Sequence, residues 1–280
     1  MKQTNIKFHF SSCFRVYFPN ICFKFFKSWK SKIVIFIALV LGVLHSIDSI
    51  FFTGTSDVKL NPYHPAFASF MSGISAKGYY RTYFLWTMPV LFMIAYCGKY
   101  VVEHKHNVAM VSYMKKNKKT YFFSKIITSA IVAVIINIVP NIVSIIMTVT
   151  FLHGKKGFMD SEQFSVAELG KFSYWCVHNP DLTYIIFLLT NLLVAALLGI
   201  MCQSIIFLLM DTKLSMLIVS AIWIGIYFGN GYFFIGNVMQ PFVDENTLQT
   251  FLMCFVTYIP MVLIWSVAAY FKVVGKNDEI

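Results

Sequence analysis

The chain has 280 residues, of which 58% are hydrophobic and only 12% charged. Soluble domains carry about 25% charged residues, so half that content points to lipid rather than water as the solvent. The net charge of +11 would suit nucleic acid, but the lysines gather beside apolar runs, as juxtamembrane anchors do, and no nucleic-acid partner is expected.

Residues 1–32 form a basic leader with seven positive charges and no acid. Pro19 can open a helix there, because its missing N–H falls among the unpaired donors of a first turn. On that helix Ile21, Cys22, Phe25, Phe26 and Trp29 share one face, and Lys24, Lys27, Ser28 and Ser31 the other. Such a pattern predicts an amphipathic helix lying in the headgroup plane with its rings in the acyl boundary. No small-residue cleavage site follows the first apolar run, so a cleavable signal is not expected.

A membrane crossing needs about 20 apolar residues. Six stretches qualify, at about 33–52, 79–101, 125–152, 182–210, 214–234 and 250–271. The expected fold is therefore all-α: a polytopic membrane protein with one six-helix domain over 33–272 and a short tail, 273–280. An even number of spans puts both termini on one side. The segments on that side hold 17 lysines and arginines against 6 on the other. A misplaced Lys or Arg costs roughly 2.5–3.5 kcal/mol on insertion scales, so this asymmetry predicts cytoplasmic termini in a plasma membrane, here read as the bacterial cytoplasmic membrane. The outer connections are 53–78, rich in Gly, Pro and Ser, then 153–181, with Phe164, Phe172, Tyr174 and Trp175 as interfacial anchors, and 236–249.

Polar groups at membrane depth are few. His45 and Asp48 stand three apart near the outer end of the first span and share a helix face. They either relay protons or contact a polar substrate, or else form a hydrogen-bonded pair at the outer interface. Asn137 and Asn141 flank Pro140 in the third span. They either line a translocation path or satisfy the carbonyl that proline frees and bond to a neighbouring helix. Asn191 and Gln203 in the fourth span read the same way. Ala195-xxx-Gly199 and Gly225-xxx-Gly229 are small-xxx-small spacings that let helices approach closely, in a bundle or a dimer alike.

Several chemistries lack their motifs. There is no GxxxxGK[ST], HExxH or GxSxG, so a P-loop ATPase, a zinc protease and a serine hydrolase of the usual kinds are not expected. The six cysteines include no CxxC pair, and His104 and His106 lie in the basic loop without the set of carboxylates or cysteines that a metal site would want. No catalytic residue, metal or cofactor is expected on this chain.

The organising feature is the basic connection between spans two and three, 102–124. Lys99, Lys105, Lys115, Lys116, Lys118, Lys119 and Lys125 accompany a single acid, Glu103. Within it Val108, Val111, Tyr113 and Met114 offer an apolar set surrounded by charge, fit for a soluble partner. Six spans, a leading amphipathic helix and this loop resemble the permease subunits of ATP-binding-cassette exporters of the type-2 class. The resemblance rests on Glu103 after the second span, Asn107 four residues later, the basic turn 115–119 and Lys125 opening the third span. Asn107 stands where that family commonly has glycine, and the usual proline of the turn is absent. The resemblance implies that Glu103, Asn107, Val108, Val111, Met114 and Lys125 couple the chain to a separate ATPase subunit that binds ATP and Mg. It also implies a second permease copy or homologue across the pore. The competing readings are an ATP-independent secondary transporter and a membrane immunity or sensor protein.

Overall fold

In hydrocarbon every backbone amide must be satisfied within its own segment, so uninterrupted apolar runs fold as helices. The computed structural model describes residues 25–55, 64–69, 79–106, 118–154, 171–172, 174–176, 178–229, 235–239 and 248–275, and among these there is no strand. The helices are α1 (Trp29–Thr55), α2 (Pro65–Ala68), α3 (Tyr79–Phe92), α4 (Lys99–Lys105), α5 (Lys118–Phe151), α6 (Pro180–Leu209), α7 (Thr212–Gly229) and α8 (Leu248–Val274). A π-helical turn, Met93–Cys97, joins α3 to α4, and a 3-10 turn, Ile235–Met239, lies between α7 and α8.

Among the described residues five segments are long and apolar enough to cross a membrane: Trp29–Phe51, Tyr79–Lys105, Lys118–Phe151, Pro180–Leu209 and Phe251–Val274. This is a multi-pass membrane protein by length and composition. The remaining expected span falls on α7, whose apolar stretch Thr212–Gly225 is shorter. Helix α5 also begins seven residues before its expected hydrocarbon boundary, because the helix already includes Lys118, Lys119 and Thr120 and the aromatic run Tyr121, Phe122 and Phe123. Of the leader, Phe25–Lys27 form one helical turn before α1. Phe25 is buried in the core, whereas Phe26 and Trp29 are exposed, so the aromatic face divides between bundle and surroundings. Ile21 and Cys22 lie outside the described residues.

Contacts between elements fix the direction of each helix. The start of α1 meets the π turn that follows α3, where Ser31 Oγ donates to the Ala95 carbonyl at 3.0 Å. Helix α6 runs antiparallel to α5: Asn137 pairs with Asn191, Ser129 with Gly199, and Phe122 with Phe207. It runs parallel to α8, touching it at Phe187–Phe251, Ser204–Ser266 and, near the ends, Leu208–Lys272, where the ammonium donates to the carbonyl. Helices α1, α3, α5 and α6 therefore alternate in direction, and α8 runs with α6, the shorter α7 lying between them in sequence. The start of α1, all of α4, the start of α5 and the ends of α6 and α8 collect at one end of the bundle, the end of the basic connection.

At that same end α6 turns sharply into α7. Met210 adopts a left-handed φ of 56°, and its N–H closes the helix on the Ile206 carbonyl at 2.9 Å. Asp211 Oδ1 then accepts from Leu214 N at 2.8 Å and caps the next helix.

Small residues let the central helices touch backbone to backbone. A Cβ on Gly199 would stand 2.7 Å from Ala133 Cβ and 2.8 Å from the Ser129 carbonyl oxygen. One on Gly42 would stand 2.8 Å from Pro140 Cα. The Ala195-xxx-Gly199 spacing thus belongs to the intramolecular seam of α5 and α6. Gly225 differs: nothing lies within 4 Å of a Cβ placed there.

Candidate functional site

The basic connection is anchored at its base by the two charged residues that bracket it. Tyr121 and Lys125 lie four apart at the start of α5, on one face of the helix, and that face meets α4. Glu103 on α4 takes the Lys125 ammonium at 3.0 Å through Oε1 and 2.7 Å through Oε2, and Oε2 also accepts from the Tyr121 hydroxyl at 2.9 Å. The same ammonium lies 5.3 Å from the centre of the Tyr96 ring and 5.6 Å from that of Tyr121. Lys125 is 12% exposed and Glu103 32%, so the cation sits in the more enclosed half of the pair.

Below this clasp lies an aromatic plug shared by four helices. Tyr100 of α4 meets Phe207 of α6 edge-on at 4.5 Å. Phe122 of α5 stacks on Phe207 at 5.1 Å and meets Tyr270 of α8 edge-on at 5.5 Å. Such pairs each contribute about 0.5–1.5 kcal/mol beyond their buried area. Displacing α4 therefore disturbs α5, α6 and α8 together.

The π turn sets how α4 is aimed. Gly98 N–H bonds the Met93 carbonyl at 2.9 Å, one residue beyond the α-helical partner. Within the turn Cys97 Sγ is 3.0 Å from Ser129 Oγ, which donates to the Gly199 carbonyl at 2.7 Å. The turn is thus tied to both α5 and α6.

Of the residues the sequence marks for coupling, Glu103 and Lys125 are brought together, and each is the other's partner. Asn107, Val108, Val111 and Met114 lie outside the described residues. Tyr96, Tyr121 and the plug were not singled out from sequence, although Tyr121 and Lys125 carry the helical spacing that would have paired them.

The polar residues in the spans separate into two groups. Asn137, Asn141 and Asn191 are all at least 98% buried. Asn137 Nδ2 donates to Asn191 Oδ1 at 3.1 Å across the α5–α6 seam, and Asn141 Nδ2 donates to the Asn137 carbonyl at 2.8 Å. Pro140 lacks an N–H and so frees the Ile136 carbonyl, but Asn141 bonds the carbonyl of Asn137 instead, and Asn137 bonds across to Asn191. The second group is on α1, where His45 is buried and Asp48 half-buried. Among the described residues no three His, Cys, Asp or Glu side chains gather into a metal-sized group.

At the opposite end of the bundle, the Cys176 carbonyl accepts from Thr183 Oγ1 at 2.9 Å, and the Cys176 side chain is buried with Phe187. Burial pushes the thiol up to about 11, against an ordinary value of about 8.5. The neutral thiol is thus retained in the folded protein at pH 8, and its alkylation by maleimide is expected to be at least tenfold slower than after denaturation. Peptide mass spectrometry of labelled Cys176 reads this directly, and equal rates would contradict the burial.

No family model matches the chain. It is similar to the uncharacterized protein YybM of Bacillus subtilis (strain 168), 23% identical over 250 residues, covering 89% of this chain and 96% of that protein. No solved structure matches.

Proposed function

We propose that this chain is the membrane-spanning permease subunit of an ATP-binding-cassette exporter, with six crossings, cytoplasmic termini and a place in the bacterial cytoplasmic membrane. The supporting observation is the Glu103–Lys125 clasp above the shared aromatic plug. A connection pinned at its base to four helices can deliver work to them, which a tethered but unpinned loop cannot. The chain has no nucleotide-binding motif of the P-loop kind, so the work comes from a separate ATPase subunit that holds ATP and Mg. Val108, Val111 and Met114 would supply the apolar contact, with Asn107 at the turn. Because Asn137 and Asn141 are buried within the bundle, with Asn137 bonded across the α5–α6 seam, the cargo path would run between this chain and a second permease copy or homologue.

Buried His45 favours one rival, ion-coupled transport without ATP. Co-production with the cell's P-loop subunits separates the two. The wild-type chain is expected to co-purify with an active ATPase. Val111→Asp and Met114→Asp should each reduce that ATPase at least tenfold in the purified complex while leaving membrane insertion intact. A wild-type chain that purifies without any nucleotide hydrolase and still moves cargo in vesicles would overturn the assignment.

A further inference from the structure

The clasp leaves unbalanced charge beside it. Glu103 has both oxygens engaged by Lys125 and Tyr121, so its single negative charge is already used. Two more lysines stand in the same corner, Lys30 at the start of α1 and Lys99 at the start of α4. The charge on Lys99 is within electrostatic reach of Lys30, Lys125 and Glu103 together, three cations against one anion. Among the described residues neither Lys30 nor Lys99 forms an ion pair. Lys99 is held in place, half-buried, with its ammonium 5.8 Å from the Tyr96 ring centre. The corner itself is tied by the bond from Ser31 Oγ to the Ala95 carbonyl at 3.0 Å.

The surroundings indicate what would balance this charge. Trp29 is 73% exposed and Phe26 50%, aromatic groups at the end of a span where headgroups lie. Farther along α1, Ile33, Phe36 and Ile37 are exposed apolar side chains on the helix that leaves the corner. A ligand suited to both features carries an anionic phosphodiester at one end and hydrocarbon at the other. We infer that the corner between the starts of α1 and α4 is a binding site for one anionic phospholipid, its phosphate between Lys30 and Lys99 and an acyl chain along Ile33 and Phe36. A soluble anion would meet the same cations but gain nothing from the apolar flank. The lipid would neutralise the excess charge and brace the clasp from its membrane side.

This site rests on membrane embedding alone and would stand even if no ATPase partner exists. The test is native mass spectrometry of detergent-purified full-length protein titrated with phosphatidylglycerol or phosphatidylcholine. Wild type is expected to retain one phosphatidylglycerol above background and no comparable phosphatidylcholine. Lys30→Gln and Lys99→Gln should each weaken that retention about fivefold, the effect of one interfacial lysine. Lys99→Arg should restore it, which separates lost charge from lost folding. Lys213→Gln, an exposed lysine at the same end of the bundle, should leave it unchanged. Equal losses in Lys213→Gln and Lys30→Gln would reduce the effect to general attraction and overturn the site. Displacement of the lipid by millimolar inorganic phosphate would do the same, making the corner a plain anion site.

Discussion

Gly199→Ala is expected to destabilise the detergent-purified protein by about 1–3 kcal/mol, the usual range for overpacking, whereas Gly225→Ala should be neutral or slightly stabilising. The contrast follows from what a methyl group meets. At Gly199 it would be driven against Ala133 Cβ and the Ser129 carbonyl oxygen, at 2.7 and 2.8 Å, and neither belongs to a flexible chain end. Relief requires α5 and α6 to separate, which stretches the Ser129–Gly199 bond and the Asn137–Asn191 bond farther along the seam. Gly42→Ala should behave similarly, since its methyl group would strike Pro140 at 2.8 Å. At Gly225 the same change meets open space, and the intrinsic helix preference for alanine over glycine, about 1 kcal/mol, acts unopposed. Thermal unfolding followed by size-exclusion chromatography reads all three. Equal melting of Gly199→Ala and Gly225→Ala would show that the seam is looser than described.

The second large effect concerns the clasp, and it is asymmetric. Glu103→Gln leaves a cation that is 12% exposed between two tyrosine rings with no carboxylate. Breaking a fully buried pair costs about 3–5 kcal/mol and an exposed one under about 1, so this partly screened case should cost about 1–3 kcal/mol. Lys125→Met should cost less. Its thioether fits between the rings, and the abandoned Glu103, 32% exposed, can be solvated. Reversing both charges should recover part of the loss, because the pair is remade but the carboxylate now lies against ring faces that repel it. Unfolding curves together with limited proteolysis of the basic connection supply the comparison. A larger cost for Lys125→Met than for Glu103→Gln would reverse the assignment of which charge is confined.

Much of the architecture was legible because apolar run length is a direct consequence of bilayer thickness. The runs near 33–52, 182–210 and 250–271 fall within two or three residues of α1, α6 and α8 over most of their ends. Where the bounds miss, the rule measures the wrong quantity. Hydropathy senses hydrocarbon, and α5 continues as a helix through Lys118 and Lys119, beyond it. Glu103 and Lys125 were each conspicuous as charges beside spans, but their pairing depends on the approach of α4 to α5 and is not written in either segment. The two small-xxx-small spacings look alike in sequence, and only packing assigns Gly199 to the interior and leaves Gly225 open. Asn107, Val108, Val111 and Met114 fall outside the described residues, so their part in coupling stands on sequence and resemblance.

The π turn at Met93–Cys97 has a geometric consequence for everything after it. Relative to a regular helix it holds one surplus residue, and one residue is about 100° of rotation about the axis. Had the chain continued in strict α geometry from Tyr79, the carboxylate of residue 103 would emerge about a quarter-circle away from Lys125. The surplus residue acts as a phase correction, turning the last two turns of the segment so that acid meets base. Contact between α4 and α5 is therefore obtained by offset winding of the segment that leads into α4.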